Sequence, residues 1–270
     1  MPASNTAKIA FENVTKVFQT RSQEIVAVKG YSMHVDAGDF VSIIGPSGCG
    51  KSTLIRMLNG IIHPSSGELY IDGELVNTSA KKISRQTLRK MGFIFQQPNM
   101  LPWYTIRQNV MLPLKILGID HEAERHYADS LIEMVGLKEY AGAYPLEISG
   151  GMLQRAGVVR AMVHKPEILL MDEPFGALDE MMREQLNMEL LEIWRTLGIT
   201  IIFITHNVEE AILLSSRIYV MGTQPGRLVE TVDIGLTRPR DLGMITERRF
   251  ADYEMRLTSL IGELDLRNIK

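Results

Sequence analysis

Gly45-Pro46-Ser47-Gly48-Cys49-Gly50-Lys51-Ser52-Thr53 is the stretch around which the chain is organised. From Gly45 to Ser52 it fits the phosphate-loop pattern G-x-x-x-x-G-K-[ST]. Its flanks fit as well. Phe40-Val41-Ser42-Ile43-Ile44 reads as a short buried strand, and Leu54 to Leu58 as the start of a helix. A triphosphate is densely anionic, and a concave row of backbone N–H groups is the best neutral clamp for it. Gly45, Gly48 and Gly50 let the main chain approach closely. The helix that follows adds free N–H groups and the positive end of its dipole. Lys51 supplies a full charge for the β/γ-phosphates, and the Ser52 hydroxyl is placed for Mg²⁺. A plain glycine turn rarely carries all of these positions between a strand and a helix.

The 270 residues are 45% hydrophobic, ample for a large core in one domain or two intimate lobes. A formal net charge of −3 supplies no basic field for nucleic acid or an anionic membrane. Cys49 is the only cysteine, so no intrachain disulfide forms, which suits a reducing cytoplasm. Met1 to Ala10 lack a signal-peptide core, and apolar runs such as Ile168–Met171 and Ile199–Thr205 are far short of a membrane span. If the protein works at a membrane, another chain crosses it.

Residues 8–18 and 25–35 have strand character, and Gly67 to Val76 looks like a hairpin turning at Asp72-Gly73. Met91 to Phe95 is another short buried strand with Gln96 at its end. From Gln97 to Lys165 the pattern is mostly helical, with Glu122 to Val135 a clear amphipathic helix. Ile168 to Met171 form a buried strand ending in Asp172 and Glu173. Leu186, Leu190, Ile193, Trp194 and Leu197 recur at helical spacing up to Gly198. Thr200 to Thr205 is the next core strand, with His206 at its tip. Arg217 to Met221 and Arg227 to Val232 read as edge strands, and Phe250 to Leu264 as a final amphipathic helix. The 16 methionines read mostly as core filler.

In open α/β sheets, ligands sit beyond the C-terminal ends of the strands. Four such ends are polar here: the phosphate loop, Gln96, Asp172-Glu173 and His206. A lone glutamine or histidine after a strand is ordinarily a solvated loop residue. Together with a phosphate loop, the four ends are expected to converge on one crevice. The Asp172 carboxylate suits Mg²⁺, held through water. Glu173 suits the orientation and deprotonation of an attacking water. Ile148-Ser149-Gly150-Gly151-Met152 is a second glycine-rich element. Ser149 can cap the helix that follows, expected over Met152 to Val163, leaving N–H groups open to an anion.

This ordered set resembles the nucleotide-binding subunit of ABC transporters, from about Ile9 to about Val232. The motifs are the phosphate loop, Gln96, Ser149-Gly150-Gly151, Asp172-Glu173, Ala177-Leu178-Asp179 and His206. The resemblance implies an α/β P-loop NTPase core of the RecA-like type, with an N-terminal antiparallel β subdomain and an inserted helical subdomain. The expected boundaries are 1–96 for the first part of the core, 97–165 for the helical subdomain, 166–232 for the second part of the core and 233–270 for a short C-terminal extension.

It also implies the roles. Glu173, His206, Lys51 and Gln96 would be catalytic. ATP would be held by Phe18 stacking on adenine, by Gly45, Pro46, Ser47, Gly48, Cys49, Gly50, Lys51, Ser52 and Thr53, and by Ser149, Gly150, Gly151 and Asp179. Mg²⁺ would be held by Ser52, Gln96 and Asp172. Two copies, as a homodimer, would enclose two ATP molecules, each between one chain's phosphate loop and the other's Ser149-Gly150-Gly151. Two transmembrane permease subunits would be driven by this closure, with Gln96 linking to them and Trp103 at the contact. An extracytoplasmic solute-binding protein would act indirectly, and the chain would be peripheral on the cytoplasmic face of the inner membrane.

Ile148, Met152 and Leu153 depart from the common pattern, leaving the Ser-Gly-Gly backbone contact intact. Leu101-Pro102-Trp103, Asn109-Val110, Phe175 to Asp179, Val208 to Ala211 and Pro225-Gly226-Arg227 look like the nitrate/sulfonate/taurine importer group. A small, anionic solute is the expectation. An ABC ATPase acting on DNA or ribosomes is the alternative, disfavoured by the acidic balance and by the absence of a heptad run between Lys51 and Ser149. An exporter or lipid-handling ATPase is a further alternative.

Overall fold

The computed structural model describes residues 7–21, 23–79, 82–176 and 178–268. In chain order the strands are β1 (Ile9–Gln19), β2 (Glu24–Val35), β3 (Phe40–Ile44), β4 (Ser66–Ile71), β5 (Glu74–Asn77), β6 (Met91–Ile94), β7 (Ile168–Asp172), β8 (Thr200–Ile204), β9 (Arg217–Gly222) and β10 (Arg227–Asp233). The helices are α1 (Lys51–Leu58), α2 (Arg85–Arg89), α3 (Ile106–Leu117), α4 (Arg125–Met134), α5 (Gly150–Met162), α6 (Glu180–Leu197), α7 (Val208–Leu214) and α8 (Arg248–Asn268). They gather into two compact units. One is the chain up to Leu88 together with the chain from Thr200, and the other is Arg89–Ile199.

In the first unit an antiparallel sheet runs β2-β1-β4-β5. Phe11 and Tyr31 meet edge to face across β1 and β2, with ring centroids 6.0 Å apart. The hairpin between β4 and β5 turns at Asp72-Gly73, both with positive φ, as the Asp-Gly signal requires. A second sheet pairs β3 in parallel with β8 on one side and β9 on the other, and β10 runs antiparallel beside β9. All of β3 is buried, which explains its unbroken apolar run. Its one polar residue, Ser42, hydrogen-bonds the Ser215 hydroxyl, so burial leaves that group satisfied.

β9 is a correction. Its sequence reads as an edge strand, but it is interior, with Ile218, Tyr219, Val220 and Met221 buried between β3 and β10. Arg217 explains the misreading. It lies at the strand's end, where its guanidinium reaches Asp233 of β10 at 2.7 Å and stays part-exposed. The final helix forms as expected on the stripe Phe250, Leu257 and Leu264, all buried.

In the second unit β6 and β7 pair in parallel, from Met91 opposite Ile168 to Ile94 opposite Met171. The helices α3, α4 and α5 lie within the interval 97–165 that reads as helical. α4 starts later than the amphipathic pattern suggests. Asp120 accepts the N–H groups of Glu122 (3.1 Å) and Ala123 (3.3 Å), and this side-chain turn replaces the first helical turn. α5 starts earlier than expected, at Gly150, because Ser149 Oγ accepts the Met152 N–H at 3.3 Å and caps it there. The methionines divide. Met33, Met57, Met162 and Met171 fill the core, whereas Met134, Met181 and Met255 are exposed.

Asn109 organises the loop that follows Gln96. It is fully buried, and its Nδ2 donates to the carbonyls of Leu101 (3.1 Å), Tyr104 (3.0 Å) and Thr105 (3.1 Å). Its Oδ1 accepts the Leu101 N–H at 2.7 Å. One amide therefore holds a turn whose tip, Trp103, is 67% exposed. Asn109→Ala leaves these part-buried groups without their partner and opens a gap where the amide was. We expect a loss of about 2–3 kcal/mol in stability, read as a lower midpoint in urea unfolding of the full chain. An unchanged midpoint would show that the turn holds itself.

Candidate functional site

The first unit carries the phosphate loop between β3 and α1. Gly45 has φ +152°, and a Cβ there would lie 2.3 Å from the Met221 carbonyl oxygen of β9. The loop is thus pressed against the sheet on one side. On the other side, Gly48 is exposed with φ +76°, and a Cβ there would meet nothing within 4 Å. α1 begins directly after Gly50, with its first N–H groups at the mouth of the loop. A cradle of main chain, closed beneath and open above, fits an anionic phosphate chain.

Lys51 is 6% exposed, and its ammonium lies over this cradle, donating to the carbonyls of Gly45 (2.7 Å) and Pro46 (3.1 Å). Ser52 and Thr53 are half-buried in the first turn of α1, and Pro46 is buried while Ser47 is exposed. Cys49 is buried, and burial pushes its thiol up, so it packs as a neutral side chain. Phe18 sits near the end of β1, 38% exposed, with Lys16 Nζ 5.0 Å from its ring centroid. Lys16 thus makes a cation–π contact with the ring, and the part-exposed remainder of Phe18 is flat apolar surface of the kind a base can stack on.

His206 is exposed two residues beyond β8. Its neighbours hold it there. The Thr205 hydroxyl accepts the Asn207 N–H at 3.0 Å and donates to the buried Glu210 carboxylate. Asn207 Oδ1 in turn accepts the Glu210 N–H at 3.0 Å and caps α7. Sequence reading singled out His206 and missed this frame. The available signal was the cap residue Asn207 with a glutamate three positions on.

The second unit carries the other candidates. Gln96 is exposed two residues beyond β6. Arg160 of α5 donates to the Asn99 carbonyl at 3.0 Å and to the Pro98 carbonyl, tying the segment after Gln96 to α5. Asp172 ends β7 and is 9% exposed, with Glu173 half-buried after it. Glu173 has φ +47°, in the left-handed region that non-glycine residues rarely adopt. Gln154, buried on α5, donates its amide to the Pro174 carbonyl next door. Buried in a helix of small and apolar residues, it was the legible hint of a fixed partner.

Asp179 caps α6, accepting the Met182 N–H at 3.0 Å. Met182 lies against Gly151, where an added Cβ would fall 1.9 Å from its sulfur. Gly151 is buried by this contact, whereas Gly150 opens to solvent with nothing within 4 Å of an added Cβ. Asp179, Gly151 and the Glu173 segment are therefore braced against one helix, α5. Ala177 lies outside the described residues. Among the described residues no three acidic, histidine or cysteine side chains form a metal cluster. Mg²⁺ takes few protein oxygens and keeps waters and phosphates, and within the second unit the Asp172 carboxylate and the Gln96 amide offer oxygens of the kind it accepts.

The family model described as ABC transporter matches residues 28–176. The nitrate import ATP-binding protein of Synechocystis sp. is 36% identical over 255 residues, covering 92% of this chain and 93% of that one. The aliphatic sulfonates import ATP-binding protein of Bacillus cereus is 37% identical over 235 residues, covering 86% and 88%. Among solved structures, a dimeric post-hydrolysis ATP-binding cassette bound to ADP and Pi superposes with a TM-score of 0.72. It is 30% identical and covers 85% of this chain and all of its own.

Proposed function

This chain belongs to the ABC transporter family of ATP-binding proteins and is an ATPase of that family, and we propose that it drives import of a small anion through a separate permease. The ATP-driven part of this reading is supported most directly by the phosphate loop, a glycine cradle closed by β9 below, open at Gly48 above, with the Lys51 ammonium over it, and the importer part by the similarity to the nitrate and sulfonate ATP-binding proteins. Two copies close head to tail on two ATP molecules. Each γ-phosphate lies between Lys51 of one copy and the capped N-terminus of α5 in the other, where the free N–H groups at Gly150 and Gly151 face it.

Glu173 orients the attacking water and takes its proton as the bond to the γ-phosphorus forms and the bond to the β-phosphate oxygen breaks. Lys51 and His206 donate to oxygens where negative charge gathers. Phe18 stacks on the adenine, and Asp179 fixes the start of α6 at the junction between copies. Ser52, Gln96 and Asp172 would hold Mg²⁺, which when bound neutralises the β- and γ-phosphate charge. Loss of the terminal phosphate removes the shared ligand, and the two copies part.

No described helix is long and apolar enough to cross a membrane, and in this reading a separate permease does so. It is expected at the Asn109-held turn, where Trp103 is exposed and the next residue, Tyr104, lines a groove of about 460 Å³ together with Arg107, Met111, Lys115, Glu122 and Arg125. In this reading the chain sits on the cytoplasmic face of the membrane, where ATP is supplied. A solute-binding protein outside delivers the anion. The direct test is to purify the membrane complex through this chain and assay its ATPase with nitrate and with aliphatic sulfonates. One of these anions, with its binding protein present, should raise turnover several-fold. A complex that holds no permease, or whose turnover responds to nucleic acid and to no small anion, would end the importer reading.

A further inference from the structure

Arg240 lies in the segment between β10 and α8. It is 5% exposed, yet carries a full charge. Its Nη1 donates to the carbonyls of Ile212 (2.7 Å), Leu213 (3.3 Å) and Ser215 (2.7 Å). Its Nη2 donates to those of Ile234 (3.1 Å) and Leu236 (3.3 Å). Arg238 Nη2 adds the Leu214 carbonyl at 2.8 Å. The four consecutive carbonyls from Ile212 to Ser215 are those that the end of α7 leaves without intrahelical partners. Two guanidinium groups satisfy all four and also meet the negative end of the helix dipole. Burial and the neighbouring Arg238 charge push the Arg240 guanidinium down to about 10, so it remains charged at neutral pH.

The other end of α7 is the frame that holds His206: Asn207 as cap, and Thr205 bonded to Glu210. α7 spans only seven residues, about 10 Å. A rod that short transmits a tilt from one end to the other. Ser215, whose carbonyl Arg240 holds, also hydrogen-bonds Ser42 of β3 through its hydroxyl, and the Ser216 N–H donates to the Phe40 carbonyl at 2.8 Å. β3 is the strand that runs into the phosphate loop. One buried arginine therefore grips the element behind His206 at the point where that element is fastened to β3.

We propose that Arg240, seconded by Arg238, is a positioning residue for ATP hydrolysis, fixing α7 from its C-terminal end so that His206 is held at the γ-phosphate. The segment Ile234–Arg240 is then a working part of the ATPase and not a tail appended to it. This rests on the role given to His206 above.

The test is steady-state ATPase of the full chain carrying Arg240→Met, Arg240→Lys or Arg238→Met, each in the wild-type and in the His206→Ala background. Arg240→Met should lower kcat about tenfold with KM for ATP within about twofold, the signature of an interaction used in the transition state. Arg240→Lys should restore only part, because one ammonium cannot serve five carbonyls from a planar fork. In the His206→Ala background the same changes should cost less than about twofold more, since no imidazole is left to position. Losses that multiply in the double variants, or a folded Arg240→Met with normal kcat and only a lower Tm, overturn the proposal and leave a stability clamp. If Arg240→Met does not fold, Arg240→Lys and Arg238→Met carry the same comparison. His206→Ala turning over like the wild type would instead remove the His206 reading on which the proposal stands.

Discussion

Glu173→Gln should slow ATP turnover by about 10²–10⁴-fold, the usual worth of a general base, while leaving ATP affinity nearly unchanged. The amide keeps the shape of the carboxylate and loses only its ability to take a proton. The main chain around it should hold. Its left-handed φ of +47° costs a non-glycine residue on the order of 1–3 kcal/mol. The Gly176 N–H to the Glu173 carbonyl at 3.3 Å and Gln154 to the Pro174 carbonyl maintain it. Neither contact uses the Glu173 side chain, so glutamine inherits the same placement. With Mg-ATP the variant should elute as a dimer from a sizing column, because the ligand shared between copies is bound and not consumed. Turnover close to the wild type would remove Glu173 from the reaction. A variant that stays monomeric with Mg-ATP would remove the sandwich.

The parts legible in the sequence are those where local pattern and chemistry agree. The run Phe40–Ile44 and the glycines specify a strand and a loop without help from elsewhere, and β3 forms where they point, whereas α1 begins at Lys51, three residues before the Leu54 start that the apolar pattern suggests. Ser149 is a cap that announces α5, whereas the capping of α6 by Asp179 shows only in the structure. What escaped depends on partners distant in sequence. β9 looks peripheral until β10 covers its far side, because a strand's burial is set by its neighbours as well as by its own residues. The run Arg238-Pro239-Arg240-Asp241 carries three charges and no apolar residue but proline, so nothing in the sequence marks it for burial. Arg240 is buried because carbonyls more than twenty residues earlier, at Ile212, Leu213 and Ser215, accept its protons. Gln154 follows the same rule with Pro174, twenty residues on, whereas the partners of Asn109 are near in sequence but lie on an irregular turn. Each is a polar residue in a helix whose buried partners lie on a loop, and helical periodicity alone does not name them.

Lys51→Ala should be the most damaging change to nucleotide handling, and the structure separates its two consequences. The first is internal. Lys51 Nζ satisfies the Gly45 and Pro46 carbonyls within the loop, and alanine leaves both without that donor. The loop mouth is open at Gly48, so water can replace the ammonium, and the fold should lose no more than about 1–3 kcal/mol. The second is external. No other lysine or arginine stands in the stretch Gly45–Thr53, so the phosphates lose its only full positive charge. Loss of a charge-assisted hydrogen bond weakens ATP binding by about 10–100-fold. Loss of a transition-state charge partner lowers kcat by about 10²–10³-fold more. Fluorescent-nucleotide titration and steady-state ATPase on the same preparation give the two figures, and thermal melting checks the fold. Lys51→Arg restores the charge but replaces a compact ammonium with a planar fork in a site only 6% exposed, so it should recover binding more than turnover. If Lys51→Ala binds ATP as tightly as the parent chain, the cradle does not hold phosphate, and the roles assigned to Ser149, Gly150 and Gly151 of the facing copy lose their ligand with it.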